Sequence, residues 1–328
     1  MVILPSSAGP LRPITIEERA RFQIDGVVLL KSVYPDDWVD YLRSAMNEVF
    51  ERDPAAGTVG GTVTGMSETG NRSEMVAVSQ RLREQNPDAE VALDGDRPPS
   101  GQSLVETAAC FWHQGIRAHH IHGPLPSIVA ALTESTSVTL YCDQLFLKSP
   151  GSAVRTPWHQ DKPYFLMQGT KVAVCWVPVD KVTVENGAMG YVLGSHRDDK
   201  TYVLSDFISR NGSFPEVGGI SMNGLEPLPP VESNPERFDI RYFDAEPGDV
   251  IVHHWGTLHG STGNTSAHSL RRAASVRYAG DDVTFLRRAS SPEPFRNAIQ
   301  LQDGDPLIDD HHFTPVWPRE EPATTPAA

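Results

Sequence analysis

Two short stretches of the chain carry side chains that could bind one metal ion. The first holds His159 and Asp161, separated by Gln160, and the second holds His259. If the first stretch is a strand, residues two apart point to the same face, so His159 and Asp161 converge while Gln160 points away. Neutral imidazole nitrogens and a carboxylate oxygen suit ferrous iron, and this ligand set leaves three positions open, as in non-haem iron oxygenases. The residues therefore predict a metal centre formed by His159, Asp161 and His259.

Two further histidines compete for the place of the third ligand. His253 and His254 end an apolar run, Val250 to His254, that is typical of a strand. Neighbouring side chains on a strand point to opposite faces, so at most one of these histidines could reach the metal. His259 is preferred because of the Gly-Ser pair that follows it.

Alternating apolar runs separated by turn residues predict a mainly β framework around these ligands. The predicted strands are Val138 to Lys148, Val172 to Val179, Met189 to Leu193 and Val250 to His254, and the turns are Glu185-Asn186-Gly187 and Pro247-Gly248-Asp249.

The N-terminal part predicts helices that pack on these strands. Thr15 followed by Glu18 is a capping-box pattern that opens a first helix, which ends at Asp25-Gly26 and leads into a strand from Val27 to Leu30. A second helix follows Pro35, with apolar residues at helical spacing. Those residues are Trp38, Leu42, Ala45 and Val49.

This succession resembles the phytanoyl-CoA dioxygenase-like family of Fe(II)/2-oxoglutarate-dependent oxygenases, mainly between Val138 and Arg277. The residues that carry the resemblance are His159-Gln160-Asp161, Glu185-Asn186-Gly187, Gly194-Ser195-His196, Gly248-Asp249, His254, His259-Gly260-Ser261 and Arg271-Arg272-Ala273. It implies an α+β, mainly β fold, with a double-stranded β-helix core (jelly roll, cupin-like) on which N-terminal helices pack. It also implies Fe(II), 2-oxoglutarate and O2 as the cofactor and co-substrates.

The reaction that the resemblance implies is the decarboxylation of 2-oxoglutarate to succinate and CO2, coupled to hydroxylation, desaturation or ring closure of a small organic molecule. By analogy with the family, we expect a substrate from secondary metabolism. Halogenases related to this family carry a small residue at the carboxylate position, and here that position is filled by Asp161.

The resemblance also assigns residues to 2-oxoglutarate. Arg271 would anchor the carboxylate that is far from the iron, because a guanidinium fork donates two parallel hydrogen bonds to a carboxylate. Ser261 would add a hydrogen bond to the same group, and Trp176 would line the pocket. Strand alternation lets only one of Arg271 and Arg272 face inward, so the choice between them stays open.

Three residues are candidates for contact with the substrate. Tyr164 follows the first ligand pair, Arg277 shares the strand parity of Arg271, and Lys148 ends the strand before the ligands. Each of the three could equally be a core or surface residue.

The remaining histidines are interpreted as structural. His196 is expected to be a loop histidine satisfied by backbone groups. The cluster His119, His120 and His122 has no carboxylate or cysteine at ligand spacing, so a solvated loop is preferred over a second metal site. The pair His311-His312 is interpreted in the same way.

Composition sets the class of partner. The formal net charge of -14 argues against nucleic acid, and no apolar run reaches the length of a membrane span.

The three cysteines, Cys110, Cys142 and Cys175, are an odd number and lack the spacing of metal ligands, as expected for reduced, buried thiols. No secretory signal pattern opens the chain, so we expect a cytoplasmic protein. The oligomeric state is not readable.

One oxygenase domain is predicted for 1–328. It has a mainly helical part with loops at 14–135, a jelly-roll core at 136–285 with an insertion at about 200–238, and a C-terminal extension and tail at 286–328. Asp53 to Arg72 and Asp94 to Gln102 are predicted loops, the first either a lid or disordered, and Tyr202 to Phe238 is a candidate cover for the pocket.

Two other classes of function share some of these features. A metal-binding jelly-roll protein or a zinc hydrolase could use the same three ligands, but neither needs an anchor for a second carboxylate such as Arg271. A catalytically silent interaction module would need neither the ligands nor the anchor.

Overall fold

The computed structural model describes residues 3–6, 9–51, 103–152, 154–203, 216–217, 220–221, 224–289, 299–309 and 312–319. The chain begins with a helix, α1, at Ile16–Asp25. The predicted capping box is present: the Thr15 hydroxyl accepts from the Glu18 amide, and the Glu18 carboxylate accepts from the Thr15 amide. Gly26 then ends the helix at φ 73°, a left-handed conformation that glycine adopts without strain.

Among the described residues three more α-helices follow, namely α2 at Asp36–Glu51, α3 at Gln114–His122 and α4 at Leu125–Thr133. The predicted apolar face of α2 is buried as expected from its spacing. Short 3-10 turns lie at Ala109–Phe111, Lys162–Tyr164, Val184–Asn186, Ser195–Arg197 and Pro235–Arg237.

The strands, in chain order, are β1 Val27–Leu30, β2 Ser103–Thr107, β3 Val138–Lys148, β4 Thr156–His159, β5 Met167–Gln168, β6 Val172–Pro178, β7 Met189–Val192, β8 Glu216–Val217, β9 Ile220–Ser221, β10 Ile240–Tyr242, β11 Val250–His254, β12 His259–Ser261, β13 Arg271–Ala279, β14 Thr284–Phe285 and β15 Thr314–Trp317. The predicted strands β1, β3 and β11 have the expected bounds, and β6 and β7 each end one residue earlier than predicted.

Most strands belong to two antiparallel sheets. The major sheet has the order β1-β11-β6-β13-β3, and both β15 and β2 pair with the remaining edge of β3. The minor sheet has the order β10-β7-β12-β4. The sequence did not predict β2 and β15, which extend the major sheet beyond 136–285.

The inner faces of the two sheets pack against each other. Trp176 and Ala273 of the major sheet share a buried cluster with Met189 and Tyr191 of the minor sheet. The outer face of the major sheet packs on the helices. Trp38 of α2 lies in the large apolar core between them. Side chains that point inward from β4, β6, β11, β12 and β13 therefore meet between the sheets.

Several predicted loops lie wholly or partly outside the described residues. Asp53 to Arg72 and Asp94 to Gln102 are outside them altogether. In the insertion, Tyr202 and Val231 pack with Val192 and Leu258 in a buried cluster that includes Trp158 at its border. Trp158 precedes the inward-facing His159, so this part of the insertion lies on the outer face of the minor sheet.

All three cysteines are free and buried, as predicted. Within the part of the chain that is described, no helix is both long enough and apolar enough to cross a membrane.

The solvated loop predicted for the histidine cluster is wrong, because all three histidines lie on the helix α3. His119 and His120 are fully buried, and only His122 is exposed. The Tyr34 hydroxyl lies 2.8 Å from His119 Nε2, and the two Nδ1 atoms of His119 and His120 are 3.0 Å apart. His120 Nε2 lies 3.5 Å from Asp143 Oδ2. Because these partners come from distant segments, no local pattern indicated that the two imidazoles are buried in the core.

Buried histidines predict a loss of stability in acid. Burial, with a contribution from His120, lowers the pKa of His119 well below its usual range, and burial with His196 lowers the pKa of His254 to about 4. In the unfolded chain both titrate near about 6.5. Below that pH only the unfolded chain takes up protons, so the free energy of unfolding should fall by about 1 to 3 kcal/mol per histidine as the pH drops toward about 4.

Urea unfolding of the metal-free protein at neutral and mildly acid pH measures this loss. His254→Gln keeps an amide that can donate to the Thr170 carbonyl, which His254 Nε2 contacts at 2.9 Å. The variant should lose less stability between the two pH values than the wild type does. Equal losses would show that His254 does not contribute to the pH dependence.

Candidate metal centre

His159 and His259 are brought together by the pairing of two short strands. His159 is the last residue of β4, His259 is the first residue of β12, and the two are cross-strand partners in the minor sheet. Their ring centroids lie 4.2 Å apart, and both side chains are buried.

Backbone carbonyls fix which ring nitrogen of each histidine faces the site. His159 Nδ1 donates to the Pro157 carbonyl at 2.8 Å, and His259 Nδ1 donates to the Thr257 carbonyl at 2.9 Å. Each Nε2 is then left with a lone pair, the arrangement typical of metal-binding histidines. Burial and the neighbouring imidazole lower the pKa of His159 to about 3 and that of His259 to about 4, so both rings are neutral at neutral pH.

Asp161 reaches the two imidazoles from a turn. The expectation that it shares a strand with His159 is wrong, because β4 ends at His159 and Asp161 has helical dihedrals, φ -76° and ψ -26°. Its amide donates to the Trp255 carbonyl, which holds the turn in place. Asp161 Oδ1 lies 3.7 Å from His159 Nε2 and 4.0 Å from His259 Nε2.

Ligand atoms of His159, Asp161 and His259 all lie within 4.8 Å of one another. Among the described residues, this is the one group of three or more histidine, cysteine or acidic side chains that is close enough to hold a metal ion. The buried cluster around His119 does not form a second one.

The two competing histidines point in opposite directions, as strand alternation requires. His254 points away from the centre, where its Nε2 donates to the Thr170 carbonyl and its Nδ1 accepts from the Gly256 amide. His253 points inward, and its Nε2 lies 3.7 Å from Asp161 Oδ2. His253 is therefore next to the centre but outside the group of three.

Arg277 supplies the positive charge beside Asp161. Its Nε lies 3.9 Å from Asp161 Oδ2, and its side chain is buried. Burial alone would raise the pKa of Asp161, but Arg277 and His253 hold it below its usual range, so the carboxylate is ionised. Arg277 thus lies beside a candidate ligand, whereas the sequence analysis proposed it only as a possible substrate contact.

Arg271 faces inward and Arg272 outward. Arg271 is buried, lies over the Trp176 ring at 5.3 Å and donates to the Gly187 carbonyl at 2.7 Å. Its Nε has no hydrogen-bond partner, and burial lowers its pKa to about 10, so it stays charged. Arg272 instead pairs with Asp180 at 2.7 Å, on the opposite face of the sheet.

Lys148 and Ser261 lie beside Arg271. Lys148 is the cross-strand partner of Arg271, and its Nζ donates to the Ser261 hydroxyl at 2.8 Å and to the Thr262 carbonyl at 2.7 Å. Burial, followed by repulsion from Arg271, lowers the pKa of Lys148 well below its usual range. Two buried basic groups thus share one end of the site, and no carboxylate among the described residues forms an ion pair with either.

Other residues of the centre were missed or left uncertain by the sequence. The Tyr164 ring lies edge-on to the His159 ring at 6.1 Å, so it borders the centre. Tyr191 stacks on His259 at 5.9 Å. Gln144 accepts a hydrogen bond from Arg277 and shares a cross-strand row with Ser275 and Trp176, which places it on the inner face. No local motif marked Tyr191 or Gln144 in advance.

The turns that carry the family resemblance position these groups and do not themselves join the centre. In the Glu-Asn-Gly turn, Asn186 accepts from the Thr183 amide, and Gly187, at φ 99°, presents its carbonyl to Arg271. Ser195 accepts a hydrogen bond from the Leu258 amide, directly before His259. Asp249 accepts from the Ser32 amide and so ties β11 to the end of β1.

Gly260 is needed where the two ligand strands approach. A Cβ at this position would lie 2.9 Å from the Thr156 carbonyl oxygen and 3.3 Å from the Trp158 amide, both of them backbone atoms of β4. Gly260→Ala should therefore push β12 away from β4 and separate His259 from His159. We expect at least about a tenfold loss of metal affinity, which is the scale of disturbed ligand geometry.

That change can be measured by titrating the protein with Mn(II). The electron paramagnetic resonance signal of free Mn(II) decreases as the ion binds. Gly9→Ala is the matched control, because nothing lies within 4 Å of a Cβ built at that glycine and its φ is not positive. Unchanged affinity in Gly260→Ala would mean that the close strand approach does not set the ligand geometry.

The fold and the centre together define a class: a mainly β protein of antiparallel sheets with a His/Asp/His cluster between them. The sequence profile of the family described as Phytanoyl-CoA dioxygenase (PhyH) matches residues 22–273. The chain belongs to this family, as the sequence motifs predicted.

Individual relatives are more distant. A 130-residue segment is 27% identical to a probable phytanoyl-CoA dioxygenase of Caenorhabditis elegans, and the match spans 39% of this chain and 38% of that protein. The chain is similar in structure to the non-heme alpha ketoglutarate dependent carbocyclase SnoK from nogalamycin biosynthesis, with a TM-score of 0.63, 20% identity and coverage of 92% of this chain and 96% of that one.

It is also similar to the epimerase SnoN from the same biosynthesis, with a TM-score of 0.60, 17% identity and coverage of 92% and 97%. EctD from S. alaskensis, solved with 2-oxoglutarate and 5-hydroxyectoine, has a TM-score of 0.54, 18% identity and coverage of 82% and 77%. At these identities the likeness concerns the fold alone.

Proposed function

We propose that the protein is an Fe(II)/2-oxoglutarate-dependent dioxygenase that hydroxylates a small organic molecule and decarboxylates 2-oxoglutarate to succinate and CO2. The observation that carries the proposal is the inward-facing Arg271, a buried cation with an unpartnered Nε, in the same inter-sheet space as the His/Asp/His group. A buried charge without an acidic partner is costly, so this arrangement fits a site that binds an anion.

The donor set fits iron. Two neutral imidazoles with their Nε2 atoms facing the site, and one ionised carboxylate, are the set that non-haem iron oxygenases use. Bound there, Fe(II) would supply O2 activation coupled to oxidation of the co-substrate. His159, Asp161 and His259 would hold it, and three protein ligands would leave coordination positions for the co-substrate and O2.

The basic end of the site fits the far carboxylate of 2-oxoglutarate. Arg271 presents a planar fork whose direction is set by the Gly187 carbonyl and by the Trp176 ring beneath it. Ser261 and Lys148 lie at the same end and are linked to each other. We therefore assign Lys148 to the co-substrate, together with Arg271, Ser261 and Trp176, rather than to the organic substrate.

The organic substrate would enter from the side of β2 and β3. Gln144 and Phe146 lie on the inner face in the rows of Trp176 and Ala273, and both are only partly buried. Tyr164 borders the centre beside His159. We propose that Tyr164 and Gln144 contact the substrate, while Arg277 acts on Asp161.

Comparison with the fold relatives supports the wider assignment but does not choose the outcome of the oxidation. Two of those relatives are named as a carbocyclase and an epimerase, and EctD was solved with 2-oxoglutarate and 5-hydroxyectoine, so one architecture serves several reactions. We further propose that the two sheets form the jelly-roll core of one oxygenase domain over 1–328. A cytoplasmic location stays a prediction from the sequence.

The test is succinate formation by the purified protein. With Fe(II), ascorbate, O2 and 2-oxoglutarate, slow substrate-independent turnover should release succinate, and omission of any one of Fe(II), O2 or 2-oxoglutarate should abolish it. Calorimetric titration of 2-oxoglutarate into the Mn(II)-loaded protein is a second readout that needs no turnover. Absence of both signals would refute the proposal.

The zinc hydrolase or metal-binding protein remains the alternative function. It would hold zinc at the same three ligands and would neither bind nor consume 2-oxoglutarate. Analysis of the metal content of the purified protein, together with the titration above, separates the two functions.

A further inference from the structure

The outer oxygen of Asp161 and two nitrogen atoms that face it all lack hydrogen-bond partners. Asp161 Oδ2, His253 Nε2 and Arg277 Nε are all buried without a hydrogen bond. Oδ2 lies 3.7 Å from His253 Nε2 and 3.9 Å from Arg277 Nε, just beyond hydrogen-bond length. Leaving three such groups unpaired in the core is costly, and a small shift of the carboxylate would satisfy all three.

The two oxygens of Asp161 have different surroundings. Oδ1 faces His159 Nε2 and His259 Nε2, the atoms of the candidate metal centre. Oδ2 faces the nitrogen donors of His253 and Arg277. One oxygen of the carboxylate thus faces the candidate metal centre, and the other faces the nitrogen atoms of His253 and Arg277.

Both donors are held in place by their own contacts. Arg277 Nη1 donates to the Ser275 carbonyl at 3.0 Å, Nη2 donates to Gln144, and the guanidinium lies over the Phe165 ring at 5.4 Å. These contacts leave Nε directed at Asp161. His253 packs against the Tyr191 ring at 5.2 Å between centroids, and β11 and its pairing to β1 and β6 fix its backbone.

We propose that His253 and Arg277 are positioning residues that bind Asp161 Oδ2 and so present only Oδ1 to the metal. The inference rests on the metal centre of the proposed function. A carboxylate can bind a metal through one or both oxygens, and a second bond would occupy one of the three positions that a chelating co-substrate and O2 require. Two donors on Oδ2 would hold that oxygen away from the metal.

The alternative role for His253 is packing, because its ring fills space beside Tyr191 and His259. Phenylalanine keeps the ring and removes the donor, whereas glutamine keeps a donor and removes the ring. His253→Phe and His253→Gln therefore separate the two roles. Arg277→Met keeps an unbranched chain over Phe165 and removes the charge and the Nε donor.

The experiment uses the protein without co-substrate. Mn(II) affinity is measured from the electron paramagnetic resonance signal of free Mn(II), and the number of metal-bound waters is measured from water proton relaxation. His253→Phe and Arg277→Met should weaken Mn(II) binding by about 10- to 100-fold, which is the usual effect of removing a residue that hydrogen-bonds to a metal ligand. Each should also lose one bound water as Oδ2 joins the metal. His253→Gln should retain more affinity than His253→Phe.

Matched controls come from the opposite face of the same strands. His254→Gln and Arg272→Leu alter the neighbouring histidine and arginine, which point away from the centre, and both should bind Mn(II) as the wild type does. Circular dichroism and thermal unfolding of the metal-free variants confirm that each one folds.

Wild-type affinity and an unchanged water count in His253→Phe and Arg277→Met would overturn the inference and leave the metal centre standing. A wild-type protein that takes up no Mn(II) would overturn the inference and the proposed metal centre together. The two failures are therefore distinguishable.

Discussion

Asp161→Asn should reduce 2-oxoglutarate-dependent succinate formation to background. The substitution keeps the shape of the side chain but removes the only negative charge among the three candidate ligands. Loss of a residue that hydrogen-bonds to a metal ligand costs about 10- to 100-fold in metal affinity or activity. Loss of the charge of the ligand itself should therefore cost at least about 1000-fold. Succinate release and Mn(II) affinity should fall together.

The matched control is Asp180→Asn. Asp180 is likewise a carboxylate with an arginine partner, but it is only partly buried and pairs with Arg272 outside the centre. That variant should lose a little stability and keep its metal affinity. If Asp161→Asn retained half of the wild-type succinate rate, Asp161 would not be a metal ligand in a working oxygenase.

Much of the framework could be predicted from the sequence because local signals determined it. The capping box at Thr15, the left-handed Gly26 and the period-two apolar runs are short-range features, and the elements that they predict are present. Alternation also predicted correctly that only one of His253 and His254 can face the centre. The ligand types themselves were recognisable because few residues bind iron.

Long-range contacts explain what the sequence could not supply. His119 and His120 were expected in a solvated loop because their partners, Tyr34 and Asp143, are far away in the chain. The strands β2 and β15 join the sheet only through pairing with β3, and neither has a strong pattern of its own. Asp161 reaches the centre through a turn held by the Trp255 carbonyl, which no local pattern predicts.

The choice between Arg271 and Arg272 also depends on contacts between distant parts of the chain. Alternation states that one of them faces inward, but not which one. The register of β13 against β3 and β6 decides it, by placing Arg271 opposite Lys148 and leaving Arg272 to pair with Asp180.

Arg271→Leu should raise the half-saturating concentration of 2-oxoglutarate by about 100-fold, because charge-assisted hydrogen bonds to a carboxylate are worth about 3 kcal/mol together. Arg272→Leu loses the ion pair with Asp180, which costs stability by about 1 kcal/mol, and should leave that concentration unchanged. Arg271→Lys keeps the charge without the fork and should fall between them. The measurement is succinate formation across a range of co-substrate concentrations.

Pyruvate makes the prediction sharper, because it has the 2-oxo acid group but lacks the far carboxylate. Calorimetric titration into the Mn(II)-loaded protein should show that Arg271→Leu weakens binding of 2-oxoglutarate and leaves the weak binding of pyruvate almost unchanged. The wild-type preference for 2-oxoglutarate would then disappear in this variant, which assigns the lost free energy to the contact between Arg271 and the far carboxylate. An equal loss for both ligands would instead show that Arg271 supports the metal centre or the fold, and the anchor would have to be sought at Lys148.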